Sequence, residues 1–202
     1  MTREMGAALG TVRIVVPGTW VGVPLGSPGE AEAFVKRLVR RQVGTADRLA
    51  RARREATAEI MANVADAVSA GAHTYLMSLE LLPGVPFPAA LLMFDEPWPD
   101  AARPGLDADD VDRALREAYP SGEVAVQRNG PVARLYEMTR GSTASGEELV
   151  TMRLEYHIPY PDRSRLLFAR VNVPNIPSAE PFATLFDEIL DSVTFRLPEG
   201  VS

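Results

Sequence analysis

The sequence predicts an α+β fold, an antiparallel β-sheet flanked by helices on both faces. Three observations predict it. Asn129-Gly130 lies between two β-rich runs and is the strongest short hairpin signal in the chain. Leu149 to Ile158 alternates apolar and polar residues, the period of a half-buried strand. The first and last helical segments each carry one apolar stripe and so need a sheet to pack on. At 202 residues the chain is long enough for one domain with a real core. The expected organisation is a flexible N-terminus over 1–10, one domain over 11–197 and a short tail over 198–202.

Thr11 to Val16 is a β-rich run closed by Pro17-Gly18, and Trp20 to Val23 reads as a second short extended piece. Ser27-Pro28 offers an N-cap followed by proline at the first helical position, with Phe34, Val35, Leu38 and Val39 at helical spacing after it. A second stripe of Leu49, Ala56, Ile60, Val64 and Val68 follows Gly44, which either kinks one long helix or breaks it. Gly71 is a plausible stop. His73 to Leu82 alternates with Tyr75, Met77, Leu79 and Leu81 on one face, and Ala89 to Phe94 is another apolar strand. Asp95 to Gly105 holds three prolines and reads as a loop, and Asp107 to Tyr119 as a short helix with an acidic start.

Val124 to Arg128 and Val132 to Met138 flank the Asn129-Gly130 turn, and Gly141 to Gly146 is a second hairpin loop. In Leu149 to Ile158 the apolar face is Met152, Leu154, Tyr156 and Ile158, leaving Arg153, Glu155 and His157 on a solvated face. Leu166 to Val173 is apolar on both faces, as a central strand is. Pro181 opens a last helix with Phe182, Leu185, Phe186, Ile189 and Leu190, and Val193 to Phe195 is a terminal strand.

The opening Val12-Arg13-Ile14-Val15-Val16-Pro17-Gly18-Thr19-Trp20 resembles the strand, proline and tryptophan that begin the PsbP-like and DcrB-like proteins. Phe186-Asp187-Glu188-Ile189-Leu190-Asp191-Ser192-Val193-Thr194-Phe195 resembles that group's terminal helix and short strand. Gly130-Pro131-Val132-Ala133-Arg134 also fits the hairpins between them. The match runs in order through most of the chain, and its motifs are structural. The long arginine-bearing helical region departs from the shorter helix usual in that group. The resemblance implies an α/β/α sandwich that acts by binding, as photosystem subunits, Ran nucleotide-release factors or chaperones of secreted effectors do.

Composition removes many functions. With no Cys there is no thiol nucleophile, Cys-bound zinc or iron–sulfur ligation. His73 and His157 are the only imidazoles, and a metal site would need added carboxylates. Asp107, Asp109, Asp110 and Asp112 lack the sixth-position glycine and closing glutamate of a calcium loop. Gly141 to Gly146 joins strands and lacks the Lys-Ser/Thr of a phosphate cradle. Neither G-x-S-x-G nor H-E-x-x-H occurs. The expectation is a non-catalytic protein with no metal and no cofactor. No run approaches 18 apolar residues, and the N-terminus has no apolar run of signal-peptide length, so the expected location is the cytoplasm.

The charge is uneven. Lys36 to Arg54 holds eight basic residues against Asp47 alone, a net +7 inside a chain of net −6, leaving −13 elsewhere. A globally acidic chain is a poor nucleic-acid binder, because affinity for a polyanion comes from summed phosphate neutralisation. Arg37, Arg40, Arg41, Arg48 and Arg51 are therefore candidate contacts for an acidic or secreted protein partner, against the plainer reading of a solvated helix face. On a continuous helix Arg53 falls on the apolar stripe, where snorkelling would account for it. Trp98, in a proline-stiffened loop, is a further candidate anchor, while Trp20 reads as packed under a loop. The expected function is a protein-binding adaptor or secretion-associated chaperone, with dimerisation left open. The alternatives are a small-molecule carrier with a pocket between sheet and helix, and an enzyme with a sparse site.

Overall fold

The computed structural model describes residues 2–7, 11–142, 148–174 and 180–196. It is a mixed α+β structure with antiparallel sheets, and five helices are present among the described residues. The strands are β1 (Thr2–Ala7), β2 (Val12–Pro17), β3 (Thr19–Gly22), β4 (Thr74–Leu82), β5 (Val85–Pro86), β6 (Ala90–Glu96), β7 (Glu123–Gln127), β8 (Gly130–Ser142), β9 (Glu148–Pro159), β10 (Leu166–Pro174) and β11 (Thr194–Phe195). The helices are α1 (Pro28–Val43), α2 (Ala50–Ser69), α3 (Arg103–Asp107), α4 (Val111–Ala118) and α5 (Glu180–Asp191). The large sheet runs β3-β4-β6-β10-β9-β8-β7 with β5 paired to β4, and a small sheet runs β1-β2-β11.

The hairpin expected at Asn129-Gly130 joins β7 to β8, with Gly130 at φ +107. The strand apolar on both faces, β10, is central, between β6 and β9. The loop expected over Gly141 to Gly146 falls largely on residues 143–147, outside the described residues.

Several expectations are corrected. Part of the N-terminal segment expected to be flexible forms β1, because Thr2–Ala7 finds an antiparallel partner in β2, supported by the Arg13–Glu4 ion pair and by Met5 against the core. The proline-rich loop contains α3, whose Gly105 lets the chain pack closely on α4: a Cβ there would meet the Ala114 backbone nitrogen at 2.3 Å. The one-faced alternation of β4 fails past Glu80, where the pairing register shifts, and Leu81 packs against a different cluster from Tyr75. Of the two outcomes left open at Gly44, the structure has the break, and this residue ends α1. Its φ of +98 cannot continue a right-handed helix, and Asp47–Leu49 forms a single 3-10 turn before α2 starts.

The main core gathers Ile14, Trp20, Leu91, Met93, Met152, Leu154, Tyr156 and Val171 with Phe186, Ile189 and Leu190 of α5. Trp20 is buried, stands edge-on to Phe186 at 6.3 Å between centroids, and donates from Nε1 to the Pro17 carbonyl at 2.8 Å. Tyr156 and Arg134 both reach Asp187, at 2.8 and 2.5 Å, and so fasten α5. A second cluster joins α1 and α2 to Tyr75, Met77, Ala90 and Leu92, and a third joins α4 to Ala133 and Leu166.

Candidate functional site

The α1–α2 hairpin carries most of the candidate residues. Val35 and Val39 of α1 and Val64 and Ala67 of α2 pack into one cluster with Tyr75, so the arginines are forced outward. The break at Gly44 distributes them over two helices and the turn between them. Arg37, Arg40 and Arg41 ride on the last turns of α1, where cations also favour the negative end of the helix dipole. Arg48 lies in the 3-10 turn and Arg51 in the first turn of α2. All five are exposed.

Pairing separates them further. Arg51 donates from Nε to Glu55 at 2.7 Å, one turn along, and so is already neutralised. Lys36 is likewise paired with Glu32 at 2.6 Å. Arg53 is held elsewhere: its Nη1 donates to the carbonyls of Gly44 and Ala46 at 2.8 and 2.9 Å. That contact accounts for an arginine on the apolar stripe, because it gives two carbonyls of the α1–α2 connection a charged donor.

Arg37, Arg40, Arg41 and Arg48 have no carboxylate partner among the described residues, and neither has Arg54, which sequence reasoning did not single out. The signal was available, since Arg54 has alanine four residues away on each side whereas Arg51 has Glu55. Elsewhere arginines are mostly neutralised, as in Arg113–Glu117, Arg116–Asp112, Arg134–Asp187, Arg153–Glu137 and Arg170–Glu155.

Between α1 and α2 runs a groove of about 750 Å3, which Arg40 and Arg54 line and Arg37, Arg41 and Arg48 do not. Lys36, Val39 and Arg40 line it from α1, and Ala50, Arg54, Ala58 and Met61 from α2.

Trp98 sits apart from the hairpin. It is half-buried, donates from Nε1 to the Arg163 carbonyl at 2.9 Å, and packs with Leu115 and Tyr119 around α4.

A second concavity lies over the large sheet. Register sets Tyr75, Leu92, Arg170, Glu155 and Leu135 opposite one another on successive strands, and Met77, Ala90, Asn172, Arg153 and Glu137 in the next row. Residues paired directly across strands share a face. Beside α2 this face forms a cleft of about 580 Å3, lined by Ile60, Met77, Leu92 and Phe94 and by Arg153, Arg170 and Asn172. Arg170 donates to Glu155 at 2.9 Å and lies over the Phe168 ring.

The two histidines each lie beside a carboxylate. His157, expected on a solvated face, is buried, because Tyr119 at the end of α4 stacks on it at 3.7 Å between centroids. Glu96 accepts from Tyr119 Oη at 3.0 Å and from His157 Nδ1 at 2.6 Å. The same packing and the Glu96 carboxylate push the Tyr119 phenol well above its ordinary range. His73 is half-buried, with Nδ1 2.9 Å from Thr74 Oγ1 and Nε2 3.5 Å from Asp95, an ion-pair distance but too long for a good hydrogen bond. Burial lowers its pKa, with Asp95 opposing. The order hydroxyl, imidazole, carboxylate looks like a nucleophilic triad, but Thr74 is buried and presents no hydroxyl to a substrate. Among the described residues no group of three or more His, Asp or Glu is placed to hold a metal ion. No described helix is long and apolar enough to cross a membrane.

No family model and no curated protein matches the chain. Among solved structures, a similar chain is LpqN of Mycobacterium tuberculosis, described as involved in cell envelope biogenesis, at 11% identity over 98% of this chain and 91% of that one, with a TM-score of 0.39. That is a weak structural relation, and it establishes no PsbP-like family.

Proposed function

We propose that this chain is a non-catalytic binding protein, an adaptor or secretion-associated chaperone, that docks an acidic protein partner on the α1–α2 hairpin. One observation carries the reading. Arg37, Arg40, Arg41, Arg48 and Arg54 lack carboxylate partners among the described residues, in a chain where most arginines have one. Unpaired guanidinium groups attract carboxylates from a distance and grip them in bidentate pairs on contact. The reading includes an α/β/α layering of PsbP-like build, with α1, α2 and α4 over one face of the large sheet and α5 over the other. Alternate residues of β6 support that layering, with Leu92 in the α1–α2 cluster and Leu91 and Met93 in the α5 cluster. It also takes the protein to act in the cytoplasm, without a cofactor.

The test compares the wild type with a folded Arg37→Glu/Arg41→Glu/Arg48→Glu variant for capture of a glutamate-rich polypeptide at low and moderate salt. Wild-type capture should weaken with salt, because exposed charges are screened beyond about 8 Å at physiological ionic strength. The variant should lose it. Undiminished capture by the variant would remove this face from the mechanism.

The cleft beside α2 favours a second reading, a small-molecule carrier. Its volume of about 580 Å3 is of the size that holds small ligands. Saturable binding of an apolar fluorescent dye, lost in Met77→Arg, would support it, and absence of saturable binding would oppose it.

A further inference from the structure

We infer that the groove between α1 and α2 receives an acidic amphipathic helix, so that the partner completes a three-helix layer. The inference rests on the acidic-partner reading and specifies the shape and chemistry of what docks. The groove is built from two helical stripes. Glu32, Lys36, Val39 and Arg40 recur at the spacing of one face of α1, and Ala50, Arg54, Ala58 and Met61 at the spacing of one face of α2. At 1.5 Å per residue these stripes run about 12–16 Å, two to three helical turns.

Floor and rims differ in chemistry. Val39, Ala50, Ala58 and Met61 make the apolar part of the lining, beside Thr45 and Thr57, with two alanines and a thioether that adapts to the side chain it meets. Small residues let a third helix approach to the 8–10 Å of ordinary helix packing. Arg40 rises from one wall and Arg54 from the other, both without carboxylate partners among the described residues. Glu32 is neutralised by Lys36, and Arg53 is occupied by the Gly44 and Ala46 carbonyls. The available charge is therefore positive on both walls, apart from Asp47 at the loop end.

A helix with leucines at i, i+4 and i+7 and glutamates flanking them matches that floor and those walls. An extended acidic strand would satisfy the rims and leave the floor unfilled. A second copy of this chain is a poorer occupant. The apolar residues of α5, Phe186, Ile189 and Leu190, are buried in the main core, and Leu115 of α4 is buried under the sheet.

The test uses two labelled peptides of about four helical turns with identical composition. One carries its leucines on a single stripe flanked by glutamate, and the other has the same residues scrambled off that stripe. Fluorescence anisotropy measures binding to wild-type protein, to Ala58→Trp, which fills the floor at an exposed site, and to Ala58→Glu, which places a carboxylate between the walls. The striped peptide should bind at least about tenfold more tightly than the scrambled one, a difference of about 1.4 kcal/mol. It should gain helical circular dichroism when bound, and both Ala58 variants should weaken it while melting as the wild type does. Equal binding of the two peptides, with Ala58→Trp and Ala58→Glu unaffected and the Arg37/Arg41/Arg48 reversal abolishing both, would overturn the groove and leave the arginine face standing. Failure of the striped peptide to bind at all would also overturn it.

Discussion

Arg53 donates a hydrogen bond to the carbonyl of Gly44, so the residue that ends α1 is held by the first turn of α2. The same Nη1 reaches the Ala46 carbonyl, which fixes the connection as well as the helix end. The break at Gly44 thereby becomes a defined corner, which sets the backbone positions that carry the arginines on either side of it.

Arg53→Ala should therefore destabilise the protein by about 1–3 kcal/mol, the worth of hydrogen bonds from a charged donor. For a chain of this size that is a fall in melting temperature of roughly 2–4 °C per kcal/mol. Arg48→Ala, equally basic but without such a bond, should melt within about 0.5 kcal/mol of wild type. Equal melting of the two variants would show that the corner does not depend on Arg53.

Phe186 is fully buried between Trp20 and Phe87, with centroids at 6.3 and 6.2 Å. Phe186→Ala should cost about 3–5 kcal/mol in denaturant titration, because the α5 side of the core is left with a cavity. An unchanged unfolding midpoint would contradict the placement of α5.

Tyr119 fastens α4 by stacking on His157 and bonding to Glu96. Tyr119→Ala should raise amide hydrogen exchange across Val111–Ala118 while leaving α1 and α2 protected, because the loss is local. Uniform acceleration through the whole chain would show that α4 does not open as a separate unit.

Burial of His73 ties stability to pH. Burial holds its folded pKa below the unfolded value of 6.5, with Arg165 adding to the effect and Asp95 opposing it. The unfolded chain then binds the extra proton, so stability is fully present above 6.5 and is lost as pH falls below it. His73→Gln should lose less stability than wild type between neutral pH and about pH 5. Parallel curves for the two proteins over that window would refute the assignment.

The elements were legible where local chemistry decides them. Asn129-Gly130 specified the β7–β8 turn, and the doubly apolar Leu166 to Val173 specified a central strand. The outcome at Gly44 was open, because a glycine permits both a kink and a break, and the corner is decided by Arg53 nine residues away. His157 was misread for a similar reason. Period-two alternation tells which face a residue occupies, but not that Tyr119 from a distant helix will cover it. The basic segment was legible as a sum of charges. Its usable part emerges only when each member's i to i+4 neighbour is read, since Glu55 neutralises Arg51 while the alanines around Arg54 leave it unpaired.

The most direct test of the arginine face is a charge swap. The affinity of a glutamate-flanked peptide is measured for wild type and for Arg37→Glu/Arg41→Glu/Arg48→Glu, and then repeated with a peptide whose glutamates are replaced by lysine. Attraction between the two charge sets predicts that the reversal weakens the acidic peptide and strengthens the basic one, with both effects shrinking as salt rises. If the variant binds the acidic peptide as wild type does, or gains nothing for the basic one, the face takes no part in recognition.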